Sequence, residues 1–375
     1  MRYKNYIHGS LLVLIGSVLL LGGCKKEEDL TAPDFKRETE LLKRYQTPLD
    51  KWIKAEYTDP YNIEVIWRWD TKEAGYNSNY IPPRPENVQP FLTMLKQTFI
   101  KTYQEEMGNS FIKPLIPKQF MLLGEWGYQF GSRRLAQAEA GSKFVFYGVD
   151  YWDQKEDDQY PGVEYPFVRE AVHTMFHEFG HILHQNKKFT EDFQSVSKKH
   201  YTIRWTDFSD TEARVKGFTS NYSMLNHNED FVEILAFYIT MTPEQWDAHI
   251  STGVEAAEKE LVLNPDHDPN PVDPKEAEEG RQAILTKLAM VRDYLKATWN
   301  IDLDEIRDAA LKNAEMALKN PEIIPQSSAS TRSYVIAPFH AVSPYTHNRV
   351  LCATGQHKED GSPLTEAQLD ASKRN

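Results

Sequence analysis

Residues 173–185 read HTMFHEFGHILHQ, and this stretch constrains the fold more than any other part of the chain. From Phe167 to Gln185 the apolar residues recur at helical intervals (Val168, Val172, Met175, Phe176, Phe179, Ile182, Leu183), which predicts one helix. Pro166 suits its first turn, because proline lacks only an amide hydrogen that would be unpaired there. An apolar helix carrying four histidines and a glutamate within thirteen positions needs partners or a task for those polar groups.

Side chains at i and i+4 share a helix face, so His177 and His181 of HEFGH point the same way and can clasp one metal ion. Zinc is the ordinary occupant of a pair of imidazoles at that spacing. Glu178, one step around the helix, can reach a zinc-bound water and act as general base. His173 and His184 fall in the same quadrant at about 100° per residue, so only the glutamate register singles out the central pair. The longer motif HExxHxxGxxH fails, because His184 stands where glycine is required and Lys187 where the third ligand would be. His173 and His184 are expected to flank the site through hydrogen bonds, with ligation of the metal by either as the alternative.

A catalytic zinc usually keeps three protein ligands and one open position, so a third ligand must come from elsewhere. The segment NHNEDFVEILAFY offers Glu229 and Glu233, themselves i and i+4 on a predicted helix that Asn228 could cap. Glu229 is the candidate third ligand, and Glu233, one turn on, could orient a ligating histidine through its free ring N–H. The plain alternative is a surface helix whose first-turn acidic residues favour the helix dipole.

HEFGH followed by EDFVE resembles the gluzincin arrangement, in particular the catalytic domain of anthrax lethal factor and its relatives. In that family the first glutamate of an ExxxE segment binds zinc and a tyrosine seven residues earlier assists catalysis. The resemblance assigns those roles to Glu229 and to Tyr222 of TSNYSMLNHNE, the tyrosine donating a hydrogen bond to the developing oxyanion. With a cysteine that resembles a lipidation site at the N-terminus, the pattern is similar to zinc-binding metallopeptidase lipoproteins of Bacteroidetes. By resemblance to zincins, the strand at 143–149 would be the sheet edge that pairs with an extended peptide.

At the N-terminus, Arg2 and Lys4 precede the apolar run SLLVLIGSVLLLGG, which ends at Cys24 and reads as a secretion signal over residues 1–23. A single anchor helix is the alternative, although the run is short for a membrane span. Resemblance to bacterial lipoproteins makes Cys24 the lipidated first residue of a tether, residues 24–34, whose KKEED segment resembles an export signal to the outer face of the outer membrane. A periplasm-facing anchor is the other orientation. Of the chain's 2 cysteines only Cys352 then remains free, so no internal disulfide can form within one mature chain.

Further along, residues 30–60 suggest a leading helix, 61–70 a half-buried strand, 88–107 a helix, 119–126 a strand and 142–152 another. Helices follow at 229–241, 242–253, 277–299 and 303–319, with a loop in NPDHDPNPVDP. The main domain covers 35–319, and 320–375 is expected to be a partly disordered tail. The balance of 43 Lys plus Arg against 55 Asp plus Glu, net -12 with no long basic cluster, argues against nucleic acid as a partner.

These readings predict an α+β zincin-like metallopeptidase domain with a small mixed sheet, an HExxH active-site helix, and one Zn²⁺ between two helices. The expected function is zinc-dependent hydrolysis of peptide bonds in a peptide or protein substrate, on a lipid-anchored outer-membrane protein exposed at the cell surface. Two rivals stand beside it. One is a non-catalytic surface lipoprotein that binds peptide or glycan in nutrient uptake, which 8 Trp and 19 Tyr would suit. The other keeps the zinc as a structural ion, which normally takes four protein ligands.

Overall fold

Two strands of continuous apolar residues, β2 (Gln119–Leu122) and β6 (Lys143–Phe146), form the centre of one four-stranded sheet of order β1-β2-β6-β5, flanked by β1 (Glu64–Ile66) and β5 (Ala136–Glu139). In this computed structural model the described residues are 47–68, 80–129, 132–134, 136–139, 143–153, 166–265 and 268–323. The chain divides into two units, Met1–Trp52 and Ile53–Asn375. Within the first, only 47–52 are described, where the helix Pro48–Ile53 opens. The signal segment, Cys24, the tether, Cys352 and all of the tail after 323 lie outside the described residues.

β1, β2 and β6 run parallel, while β5 is antiparallel to β6, so the sheet is small and mixed. The parallel step from β1 to β2 needs a long crossover. Helices α1 (Pro85–Leu95), α2 (Lys101–Met107) and α3 (Asn109–Leu115) supply it, with a π-helical turn at Lys96–Ile100 between the first two. Phe120, Met121 and Leu122 of β2 and Phe144, Val145 and Phe146 of β6 are all buried, as expected of central strands covered on both faces. On one face Phe120 lies 5.5 Å from Phe146 and Phe91 of α1 5.5 Å from the same ring. On the other, Met121, Leu123, Val145 and Tyr147 form a cluster with Ile66 and Tyr80.

Two sequence expectations need correction here. The strand at 143–149 is not an edge: it spans Lys143–Phe146 and is hydrogen-bonded to β2 on one side and β5 on the other. Among the described residues the outer strand on that side is β5, and it is β5 that lies against the histidine-bearing helix. Secondly, the polar stretch between β2 and β6, for which the sequence suggests no element, forms β5 and a separate hairpin of β3 (Gly127–Gln129) and β4 (Ser132–Arg134). Pairing to a neighbouring strand overrides weak strand propensity.

The histidine-bearing segment is helix α4 (Pro166–Asn186). It packs on the aromatic residues of the crossover, with Phe176 5.6 Å and Phe179 5.3 Å from Phe99, and Phe179 4.7 Å from Tyr103. After the short helix α5 (Asp210–Val215) comes α6 (His227–Thr240), in which every residue from Asp230 to Thr240 is buried. Its N-cap is Asn226, not Asn228. Asn226 has extended backbone angles and its side chain accepts from the amides of Asn228 and Glu229, whereas Asn228 already lies inside the first turn. Helices α7 (Pro243–Glu258), α8 (Pro274–Trp299) and α9 (Leu303–Lys319) complete the bundle around α6.

Two glycines set the helix spacing. A Cβ on Gly180, within HEFGH, would come 2.8 Å from Leu235 Cδ2 and 2.9 Å from Val232 Cγ1, both on α6. On Gly280 of α8 it would come 2.2 Å from the carbonyl oxygen of Val215 and 2.5 Å from that of Arg214. Side-chain ends can yield, but backbone carbonyls in a helix cannot. For Gly180→Ala, overpacking at about 1–3 kcal/mol should outweigh a gain of roughly 1 kcal/mol in helix propensity. Thermal denaturation should therefore show a lower Tm for Gly180→Ala and a larger drop for Gly280→Ala. An unchanged or raised Tm in either variant would contradict the close approach.

Candidate metal centre

Helix α4 places His173, His177, His181 and His184 along one face, and α6 packs against that face with Glu229 and Glu233. Glu229 Oε2 stands 3.3 Å from His177 Nε2 and 3.3 Å from His181 Nε2. This oxygen is buried and makes no hydrogen bond. Ligands held about 2.0–2.1 Å from a tetrahedral zinc stand about 3.3–3.4 Å apart. Both carboxylate-to-imidazole separations are thus those an ion would give, one donor atom from each of the three residues lies within 4.8 Å of the others, and a buried carboxylate oxygen without a hydrogen bond has reason to take an ion.

A second group, His173, His177 and Glu233, also brings three donors together. Its contacts are different in kind. His177 Nδ1 lies 2.8 Å from Glu233 Oε1, a hydrogen-bond distance too short for two ligands of one tetrahedral ion. An ionised carboxylate only accepts, so His177 Nδ1 carries the hydrogen and its Nε2 faces Glu229. His173 Nε2 donates to the same Oε1 at 3.3 Å, and the Ser220 hydroxyl donates to Oε2. Glu233 is therefore a fully buried acceptor that fixes His177 from behind.

His181 is held by another imidazole. Its Nδ1 lies 2.9 Å from His184 Nε2. Burial, and then the positive charge of His181, push His184 down to about 4, so it stays neutral and can accept the His181 proton. Burial alone would also lower His177, but close contact with the Glu229 and Glu233 carboxylates and the negative charge of both raise it to about 10. On Glu233 burial opposes ionisation, while hydrogen bonds and attraction to His173 and His177 bring the carboxyl down to about 2. Glu229 behaves alike: against its burial, His177 and His181 hold it well below the usual carboxylate range.

Tyr222 lies in the turn Tyr222–Leu225, just before α6, with its ring 6.1 Å from that of His177 and 5.1 Å, edge-on, from Trp205. Burial, followed by the negative charges of Glu229, Glu233 and Glu178, raises its phenol far above the usual value, so it remains a donor. Glu178 neighbours His177 on α4 and is partly exposed, and its charge reaches Tyr222. His177, His181, Glu229, Glu233 and Tyr222 thus gather at the contact of two helices and one turn.

Spacing did not reveal the hydroxyl cluster behind Glu233. Ser220 shares hydrogen bonds with Ser223, which in turn meets Thr219, and all three are buried. The only signal available was the run of small hydroxyl residues around Tyr222 in TSNYS.

The comparisons with known proteins agree with this chemistry. The model of a family described as "Putative zinc-binding metallo-peptidase" matches residues 42–304. A solved structure described as a putative zinc-binding metallo-peptidase from Bacteroides caccae is 26% identical, with a TM-score of 0.58, covering 74% of this chain and 96% of that one. No curated protein matches the chain. Matched over more than half of its length, the chain belongs to the family of that description.

Proposed function

We propose that this protein is a zinc-dependent peptidase in which His177, His181 and Glu229 hold one ion. The observation that carries this reading is Glu229 Oε2, buried, without a hydrogen bond, and 3.3 Å from the Nε2 atoms of both histidines. Bound zinc supplies a Lewis acid and lowers the pKa of a coordinated water to about 7. Glu178 takes the proton of the attacking water and passes it to the departing amine. Tyr222, kept protonated by burial and by the surrounding carboxylates, donates a hydrogen bond to the oxyanion that develops on the scissile carbonyl. Glu233 and His184 lie where they accept the Nδ1 protons of His177 and His181, which would leave each Nε2 lone pair free to hold the ion.

The substrate's main chain pairs with the outer edge of β5, which among the described residues is the terminal strand of the sheet beside α4. Strand addition asks little of the side chains and suits a peptide or unfolded protein segment. We also propose that Cys24 carries lipid and holds the domain at the outer membrane, on the strength of the apolar run and Gly22-Gly23 before it.

Three measurements test these roles. Glu178→Gln should retain zinc by elemental analysis while turnover of a cleavable peptide falls roughly 10²- to 10⁴-fold; undiminished turnover would remove Glu178 as the base, and Glu229→Ala, by contrast, should lose zinc. In the metal-free protein His177 is raised to about 10, so near pH 7 it holds a proton that zinc must displace. Zinc binding should therefore release protons and tighten as pH rises toward that value, which calorimetry in buffers of different ionisation enthalpy would detect. Proton-neutral binding would show that His177 is not protonated in the metal-free protein near pH 7. Finally, palmitate labelling of cells expressing the chain should vanish in Cys24→Ala; persistent labelling would place the lipid elsewhere.

A further inference from the structure

The most heavily buried ion pair among the described residues has no part in the chemistry above. Lys287 of α8 and Asp230 of α6 are both at 0% side-chain exposure, with Lys287 Nζ 2.8 and 2.6 Å from the two carboxylate oxygens. The Tyr201 hydroxyl donates to the same carboxylate at 2.7 Å, and the Phe218 ring lies 4.3 Å from the ammonium. Burial works against both charges, raising the Asp230 carboxyl and lowering the Lys287 ammonium, and mutual attraction opposes it. Such a pair is weak evidence for stability, because well-packed apolar residues of similar volume often serve as well. Its position suggests what it does instead.

Asp230 directly follows Glu229, and the two side chains serve different neighbours: Glu229 faces α4 and Asp230 faces α8. From Asp230 onward α6 is buried on every side and mostly apolar. Hydrophobic burial is non-directional, so the rotation of α6 is left to its buried polar side chains, Glu233 toward α4 and Asp230 toward α8. A slip by one residue turns it about 100°, and a slip by one turn moves it about 5.4 Å. Either would carry Glu229 away from the histidines, whereas a working site tolerates roughly 0.5 Å. A buried charge with a single charged partner resists both slips, since each would leave an unpaired ion in the interior.

We infer that Lys287, Asp230 and Tyr201 are positioning residues that pin the rotation of α6 and so hold Glu229 against His177 and His181. The same pin reaches Tyr222. Tyr201 opens the loop that leads to Trp205, the Thr202 amide donates to the Met224 carbonyl at 2.7 Å, and Trp205 packs edge-on against Tyr222. This inference rests on the zinc reading proposed above.

The test is zinc affinity by chelator competition, read beside thermal denaturation, for the wild type and for the double variant Asp230→Leu/Lys287→Met. The double variant should remain folded with a Tm near that of the wild type, yet bind zinc roughly 10- to 100-fold more weakly. A folded double variant that binds zinc within about twofold of the wild type would overturn the pin, leaving the pair a stability feature. If the double variant does not fold, Tyr201→Phe decides, since it removes one hydroxyl and no charge. Weaker zinc binding at an unchanged Tm supports the pin, and unchanged binding overturns it. A wild-type protein that takes no zinc would overturn the zinc reading itself, an outcome distinct from equal binding by wild type and variant.

Discussion

The close approach of α4 and α6 is the contact on which the rest of the site depends. It exists because Gly180 presents no Cβ to Val232 and Leu235. With the axes this near, the short side chains of Glu229 and Glu233 span the gap between helices and meet imidazole nitrogens directly. The same glycine sits between the two proposed ligand histidines in HEFGH, so the residue that allows the approach lies at the height where it is needed. The phenylalanines on the other side of α4 pack on the crossover helices and fix that helix to the sheet.

Electrostatics then sorts the six titratable groups at this contact. Burying a charge is costly unless it is paired and hydrogen-bonded, and each carboxylate here answers to two histidines: Glu229 to His177 and His181, Glu233 to His173 and His177. His177 therefore stands between two acids. One contact, at 2.8 Å, is a hydrogen bond, and the other, at 3.3 Å, is the separation of two atoms that could share an ion. For His177, the distinction between the carboxylate that orients it and the one that could share an ion with it comes down to this half-ångström difference. His181 lacks a second carboxylate and uses neutral His184 as acceptor, so the two proposed ligands are backed by partners of different charge.

Much of this was legible in the sequence where the physics is local. Apolar spacing gave α4 within one residue at each end, and i, i+4 geometry placed His177 with His181 and Glu229 with Glu233. The sheet was harder to read. β5 is short and not apolar, and it forms because β6 offers a partner, so composition hid the strand, and the edge that the resemblance to zincins put at 143–149 belongs to β5 among the described residues. The cap of α6 slipped from Asn228 to Asn226, because the two asparagines are two positions apart and only the backbone angles tell them apart.

What the sequence determined by itself is the helix pair and the order of chemical groups along each face, because a helix fixes neighbours a few residues apart whatever surrounds it. What only the tertiary structure decided is which atoms face one another across the gap. His177 and Glu233 are 56 positions apart and Asp230 and Lys287 57, and no periodicity links them. The choice of Glu229 Oε2 as the atom between two Nε2 atoms, the Ser220 hydroxyl behind Glu233, and the buried ammonium beside Asp230 all depend on the rotation and spacing of packed helices. Those are set by close packing over the whole core, in which every side chain's volume takes part, and a linear pattern does not carry that information.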